Sequence, residues 1–274
     1  MSLDEAAEAA LRERWSRSQR HITMFSVVLP ALQLPLCTVI VVMAGGGSTW
    51  PTAVPLVPVA VAAVALRQWV RRQAPLDPLK WRSAALLAVG VQLLSVAVPA
   101  YDIATGHTPD ALTGPAILIF LSCVVAAATC VSAHRAGRAL LTPLVAELGS
   151  ADLRLTLPVR AAATGPELVS ARIVVERDRV EWTVRLHVRR RGDPRIDVSV
   201  PFRELLQVMP VTLPGVPELR PWTVLPGGIT LHAQAGPAIL VTSTQDQWLL
   251  PVHDADLVAE LILRRQTLWL QGSP

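Results

Sequence analysis

Apolar positions along the chain follow two patterns, and the change falls near residue 150. Before it they form four long runs, 22–44, 51–66, 84–101 and 111–133, and none of the four contains a charged residue. At ~1.5 Å per residue the 23 residues of the first run reach ~34 Å as a helix, more than the ~30 Å of a bilayer's hydrocarbon core. A charge at the centre of a spanning helix costs ~2.5–3.5 kcal/mol, and all four runs avoid it. The second run is short and holds Pro51, Pro55 and Pro58; it reaches Val70 if Arg67 snorkels to the interface. The first run exceeds the roughly 7–15 apolar residues of a signal peptide, so it is expected to span rather than to be cleaved.

The connections between the runs carry an asymmetric charge. The segment 45–50 has no charge, and the one between runs three and four carries Asp102, His107 and Asp110 without Lys or Arg. Arg12, Arg14, Arg17 and Arg20 precede the first run. Arg67, Arg71, Arg72, Lys80 and Arg82 lie between runs two and three, and His134, Arg135 and Arg138 follow run four. Basic clusters thus alternate with bare loops, and the basic side of a membrane protein is the cytoplasmic one. The expectation is a multi-pass protein of the cell membrane with both termini in the cytoplasm. Trp50, Trp69, Trp81 and Tyr101 fall at run ends, where interfacial aromatics belong.

Residues 3–20 read as a helix, favoured by Ala6, Ala7, Ala9 and Ala10 and opened by a capping box of Ser2 with Glu5. Leu3, Ala7, Leu11 and Trp15 share one face. Such a helix lies on anionic lipid or is a solvated leader to the first span. Run four is expected to continue through Arg138 to Leu148, kinked at Pro143 and ended by Gly149.

After residue 150 the period shortens to two. Leu153, Leu155, Leu157 and Val159 alternate with small or polar residues, which predicts a strand. Further short strands are expected over 171–176, 180–188, 195–201, 205–209, 228–233, 238–243 and 247–252. Arg177-Asp178-Arg179 and Gln245-Asp246 supply two of the turns. A closing helix over 254–268 is capped by Asp254 or Asp256, with Arg264 and Arg265 at its C-terminal dipole end. Leu257, Val258, Leu261, Ile262, Arg265 and Leu268 form its inner stripe.

The sequence over 238–261, with its strand, turn, strand, acidic cap at His253-Asp254-Ala255-Asp256 and final helix, resembles the end of bacterial PH-like domains. The strand pair around 198–208 is similar to the middle of such domains, and the likeness covers roughly 168–268. It implies the actinobacterial-type layout of a PH-like module on a few membrane helices. The insert 210–226, with five prolines, departs from the pattern. The expected fold is therefore an α-helical transmembrane region of four helices, followed by a mainly antiparallel β cytoplasmic domain, a PH-like barrel or sandwich with a C-terminal helix. Its parts are an N-terminal amphipathic helix (1–21), a transmembrane domain (22–133), a helical extension (134–150) and the β domain (151–274).

Composition agrees: 51% of the 274 residues are hydrophobic and 17% charged, against about 25% charged in an ordinary soluble domain. The net charge of +4 does not point to nucleic acid, because 151–274 carries 14 Arg against 13 Asp and Glu. Cys37, Cys123 and Cys130 lie inside apolar runs and read as small buried hydrophobes. No phosphate-binding, dinucleotide, zinc-protease or serine-hydrolase motif is present. No cofactor, metal or catalytic residue is expected, and His253-Asp254-Ala255-Asp256 reads as a helix cap.

Two groups of residues remain as candidate sites. Arg189, Arg190, Arg191 and Arg195 form a basic patch for an anionic lipid or partner, or a solvated hairpin tip. Gln33 and Gln92, the strong polar groups inside the runs, are candidates for an interhelical pair. Ser122, Ala126 and Cys130 recur every four residues, a small-residue stripe that a neighbouring helix can approach closely. The expected function is a non-catalytic membrane protein presenting its β module to protein or inner-leaflet lipid. The second expectation is a transport component with a regulatory β domain. The partners are the bilayer and an unidentified protein, a second copy of the chain among the candidates.

Overall fold

The computed structural model describes residues 5–44, 54, 56–73, 77–78, 80–106, 113–151, 153–163, 167–187, 193–214 and 219–272. The chain divides into two compact units, Met1–Thr142 and Pro143–Pro274.

The first unit is helical. Helix α1 (Glu5–Thr23) passes through a π turn (Met24–Val28) directly into α2 (Leu29–Ala44). The Leu29 N–H bonds to the Met24 carbonyl, five residues back. Pro30 follows, cannot donate and crowds the carbonyl four residues earlier, so the ladder loosens there. Helices α3 (Leu56–Gln73), α4 (Lys80–Gly106) and α5 (Thr113–Leu141) complete the unit. Among the described residues two stretches are long and apolar enough to cross a membrane, Leu11–Met43 and Ala116–Leu141, and Leu56–Val70 is a shorter apolar helix.

Burial in this unit differs from the sequence expectation in three places. On α1 the inward stripe runs through Leu11, Arg14 and Ser18 and continues to Phe25 of the π turn, while Trp15 is exposed. The stripe is set by α5: buried Ser18 donates to the Ala136 carbonyl at 2.9 Å. Leu3 and Ser2 lie outside the described residues. Trp81 is fully buried rather than interfacial, because the first turn of α4 tucks against α5, where Gly137 leaves room for the Pro78 carbonyl. Cys123 is exposed, Cys130 half-buried and Cys37 buried, so of the three Cys37 alone is a core residue. Finally, α5 stops at Leu141 and a 3-10 turn (Ala146–Ser150) follows. Pro143 breaks the helix outright, where the apolar pattern predicts only a kink.

The second unit is β-rich. Its strands among the described residues are β1 (Leu155–Pro158), β2 (Leu168–Val175), β3 (Arg179–His187), β4 (Arg195–Pro201), β5 (Leu205–Leu213), β6 (Leu219–Leu225), β7 (Ile229–Gln234), β8 (Gly236–Ser243) and β9 (Gln247–Pro251), followed by α6 (Ala255–Gly272). All pairings are antiparallel, in sheets ordered β1-β2-β3-β4, β5-β8-β9 and β6-β7. The period of two is visible in burial: Val180, Trp182, Val184 and Leu186 face inward along β3. The 210–226 segment is not one long insert. β5 extends to Leu213 and β6 begins at Leu219. Pro210 is tolerated because β5 pairs on one side only, with β8, and Pro221 stands at a β-bulge. Hairpin β6–β7 packs Leu225 and Leu231 onto Val184 and Leu186. The Trp222 indole N–H donates to the Leu249 carbonyl at 2.6 Å.

Candidate functional site

In the helical unit Gln33 of α2 is 1% exposed and Gln92 of α4 is 3% exposed. Gln33 Nε2 donates to the Ser122 hydroxyl on α5. That leaves the Gln33 Oε1 acceptor and the Gln92 Nε2 donor buried without partners. One turn beyond Gln33 is Cys37, and one turn beyond Gln92 is Val96; these two share a buried cluster with Val41 and Val59. The two amides therefore stand at one level on packed helices, and the observed partner of Gln33 is Ser122. Thr129, also buried, spends its hydroxyl on the Val125 carbonyl.

In the β unit, Arg189, Arg190 and Arg191 lie outside the described residues. Arg195 opens β4, opposite Arg185 of β3. Each like charge is countered by its own carboxylate: Arg195 Nε lies 2.7 Å from Asp197 and Arg185 Nη2 lies 2.5 Å from Asp193. The His187 ring is 3.7 Å from the same Asp193. At the start of α6, Asp254 Oδ1 accepts the Leu257 N–H at 3.0 Å, a helix cap. Among the described residues no three His, Cys, Asp or Glu side chains gather as a metal site.

The strongest polar features are two arginines: Arg265, which sequence reasoning places on the inner stripe but gives to the helix dipole, and Arg160, which it does not single out. Arg265 sits on the inner stripe of α6 and is 3% exposed, so it is not a solvent-facing partner of the helix dipole. It donates to the carbonyls of Gly149 (2.7 Å), Leu153 (3.0 Å), Leu148 (3.3 Å) and Glu176 (3.3 Å). Arg160 donates to Val252 (2.8 Å), Pro237 (2.8 Å) and Ala235 (3.4 Å). The signal for Arg265 was present, a guanidinium at the i+4 position from Leu261 on an apolar stripe. Arg160 had none, because it lies in irregular chain after β1. Both donate to backbone carbonyls and hold segments distant in sequence.

The turn between β2 and β3 carries a perturbed carboxylate. Asp178 is held below its usual range, first by its hydrogen bonds from Arg179 and also by that guanidinium's charge, against a desolvation cost. The Arg179 pKa is raised by the same bonds. Comparison with protein-family models, curated proteins and solved structures finds no match to this chain.

Proposed function

We propose that this chain is a non-catalytic, multi-pass membrane protein with both termini in the cytoplasm, whose four apolar helices anchor a PH-like module for contact with protein or inner-leaflet lipid. The observation that carries a membrane location is the inverted surface of the helical unit. Leu94 is 75% exposed and Leu87 73%, with Phe120, Val61, Val57 and Ile117 also outward, while Gln33, Gln92, Ser122 and Thr129 are inside. In water that arrangement would be costly; in lipid it is the expected one. The orientation follows from the basic connections, which share one side. The PH-like assignment is supported by a four-stranded and a three-stranded antiparallel sheet closed by α6, with hairpin β6–β7 as an addition.

The test is membrane fractionation joined to a reporter fused after residue 274. A membrane-bound chain with a cytoplasmic reporter is expected; a soluble chain or an exterior reporter overturns the proposal. Crosslinking from membranes, with and without 151–274, then tests the module: partners that persist without it would sink its role. The second function, transport, is favoured by one feature, the buried amides of Gln33 and Gln92. Replacing both by Leu is expected to be nearly silent for an anchor and damaging for a pathway.

A further inference from the structure

Helices α3 and α4 leave a groove between them of about 830 Å³, within the ~300–1,000 Å³ of ligand pockets. Four alanines make the space: Ala62 and Ala65 on α3, Ala84 and Ala88 on α4, with Leu66 and Leu87 completing the walls. Its polar lining is confined to one end. Lys80, Ser83 and Trp69 stand beside the α3–α4 connection, whereas Pro58 and Val91 line the far end. Along α3 from Pro58 to Trp69, and along α4 from Lys80 to Val91, the groove covers twelve residues, whose eleven rises of ~1.5 Å reach ~17 Å. Half of a ~30 Å hydrocarbon core is ~15 Å. The groove therefore has the depth of a single leaflet, apolar along its length and cationic at one mouth.

We infer that the α3–α4 groove holds an acyl chain of an anionic phospholipid from the cytoplasmic leaflet, with the lipid phosphate at Lys80. This rests on the membrane location proposed above. Charge complementarity selects the lipid: Lys80 lines this end, Arg67, Arg72 and Arg82 flank the α3–α4 connection in the chain, and Asp77 is the one carboxylate among the described residues of that connection. The Lys80 ammonium is 3.2 Å from Asp77 and its side chain is 55% exposed. The ion pair fixes the ammonium at the rim and occupies one of its three donors, leaving the others for phosphate. Ser83 adds a hydroxyl at the same level, and Trp69 an indole at headgroup depth. A basic pocket between membrane helices on the cytoplasmic side is a known geometry for acidic headgroups. A zwitterionic lipid also offers phosphate, but its own ammonium meets the same cations.

The test uses the full chain purified in mild detergent, with phosphatidylglycerol or phosphatidylcholine added and adducts counted by native mass spectrometry. The wild type is expected to retain phosphatidylglycerol in preference. Ala84→Leu and Ala88→Leu fill the groove, and Lys80→Gln removes its cation at a solvent-facing end where folding is not at stake. Each is expected to lower occupancy about five-fold or more, while Val124→Leu on α5, away from the groove, leaves it unchanged. Equal retention by wild type and Lys80→Gln, or no preference between the two lipids, overturns the inference. So does a dimer that Ala84→Leu dissociates, which gives the groove to a helix of a second copy. Recovery of the wild type in the soluble fraction, scored before any lipid is added, overturns the membrane location itself.

Discussion

Arg265 Nε donates to the carbonyl oxygen of Gly149 across 2.7 Å and 116 residues of chain. The same guanidinium reaches Leu148, Leu153 and Glu176, so one side chain satisfies carbonyls from the 3-10 turn, the approach to β1 and the end of β2. Arg265→Met keeps the volume and strands these acceptors. A loss of about 3–5 kcal/mol is expected for the β unit, the range for breaking a buried charged interaction. Urea unfolding of the full chain in detergent, followed by near-ultraviolet circular dichroism, measures it. Gly149→Ala is expected to destabilise as well. Its Cβ would press into the Leu261 carbonyl, with Arg264 Cβ at 3.1 Å. A variant of either kind as stable as the parent would remove the clasp from this account.

Gly236 adopts φ of +128°, and a Cβ there would stand 3.2 Å from Arg160 Nη2. Two penalties coincide, a backbone region that L residues rarely adopt and the crowding of a guanidinium holding three carbonyls. Gly236→Ala is expected to cost about 1–3 kcal/mol and to lower the melting temperature of the same unit. The glycines at 227 and 228 also have positive φ but meet nothing, so Ala there carries the backbone penalty alone and a smaller shift.

Gln92 buries an N–H2 group with no acceptor. Replacing it by leucine removes a desolvated donor and adds apolar contact. Gln92→Leu is therefore expected to be neutral or stabilising by up to about 2 kcal/mol, read as thermal stability in detergent. Gln33→Leu differs, because it takes the donor from Ser122. A marked loss from Gln92→Leu would mean that its amide has a partner in the working protein.

Asp178 gives the β2–β3 turn a pH dependence. Its folded pKa lies below the ordinary 3.8, so the stability it contributes is complete above the unfolded value. That stability is lost as pH falls through the lowered folded value. The Arg179 bonds at 3.0 and 3.1 Å are the main cause. Both side chains are nearly half-exposed, and the effect is expected to be small for that reason. The gap in unfolding midpoint between the parent and Asp178→Asn should be constant near neutral pH and vanish in strong acid. A gap that widens on acidification contradicts the assignment.

Sequence periodicity located most of the β unit. Val180, Trp182, Val184 and Leu186 bury alternately as their spacing predicts, and β4 falls on its expected residues 195–201. Misses have local causes. Pro210 and Pro221 read as loop residues, yet an edge strand and a bulge need no N–H from them. Pro143 ended a helix that hydrophobicity alone would have continued. Trp81 was misplaced because the packing of α4 against α5 decides its burial, and no local pattern encodes that. The groove of α3 and α4 was equally illegible: alanines read as helix formers until the partner helix supplies the opposite wall.

The clasp also fixes an order of assembly. Guanidinium 265 completes bonds to chain synthesised more than a hundred residues before it. While the ribosome is still extending α6, those carbonyls wait without their donor. Folding of the β unit therefore includes a late closing step, and a stop codon placed before position 265 removes the residue that performs it.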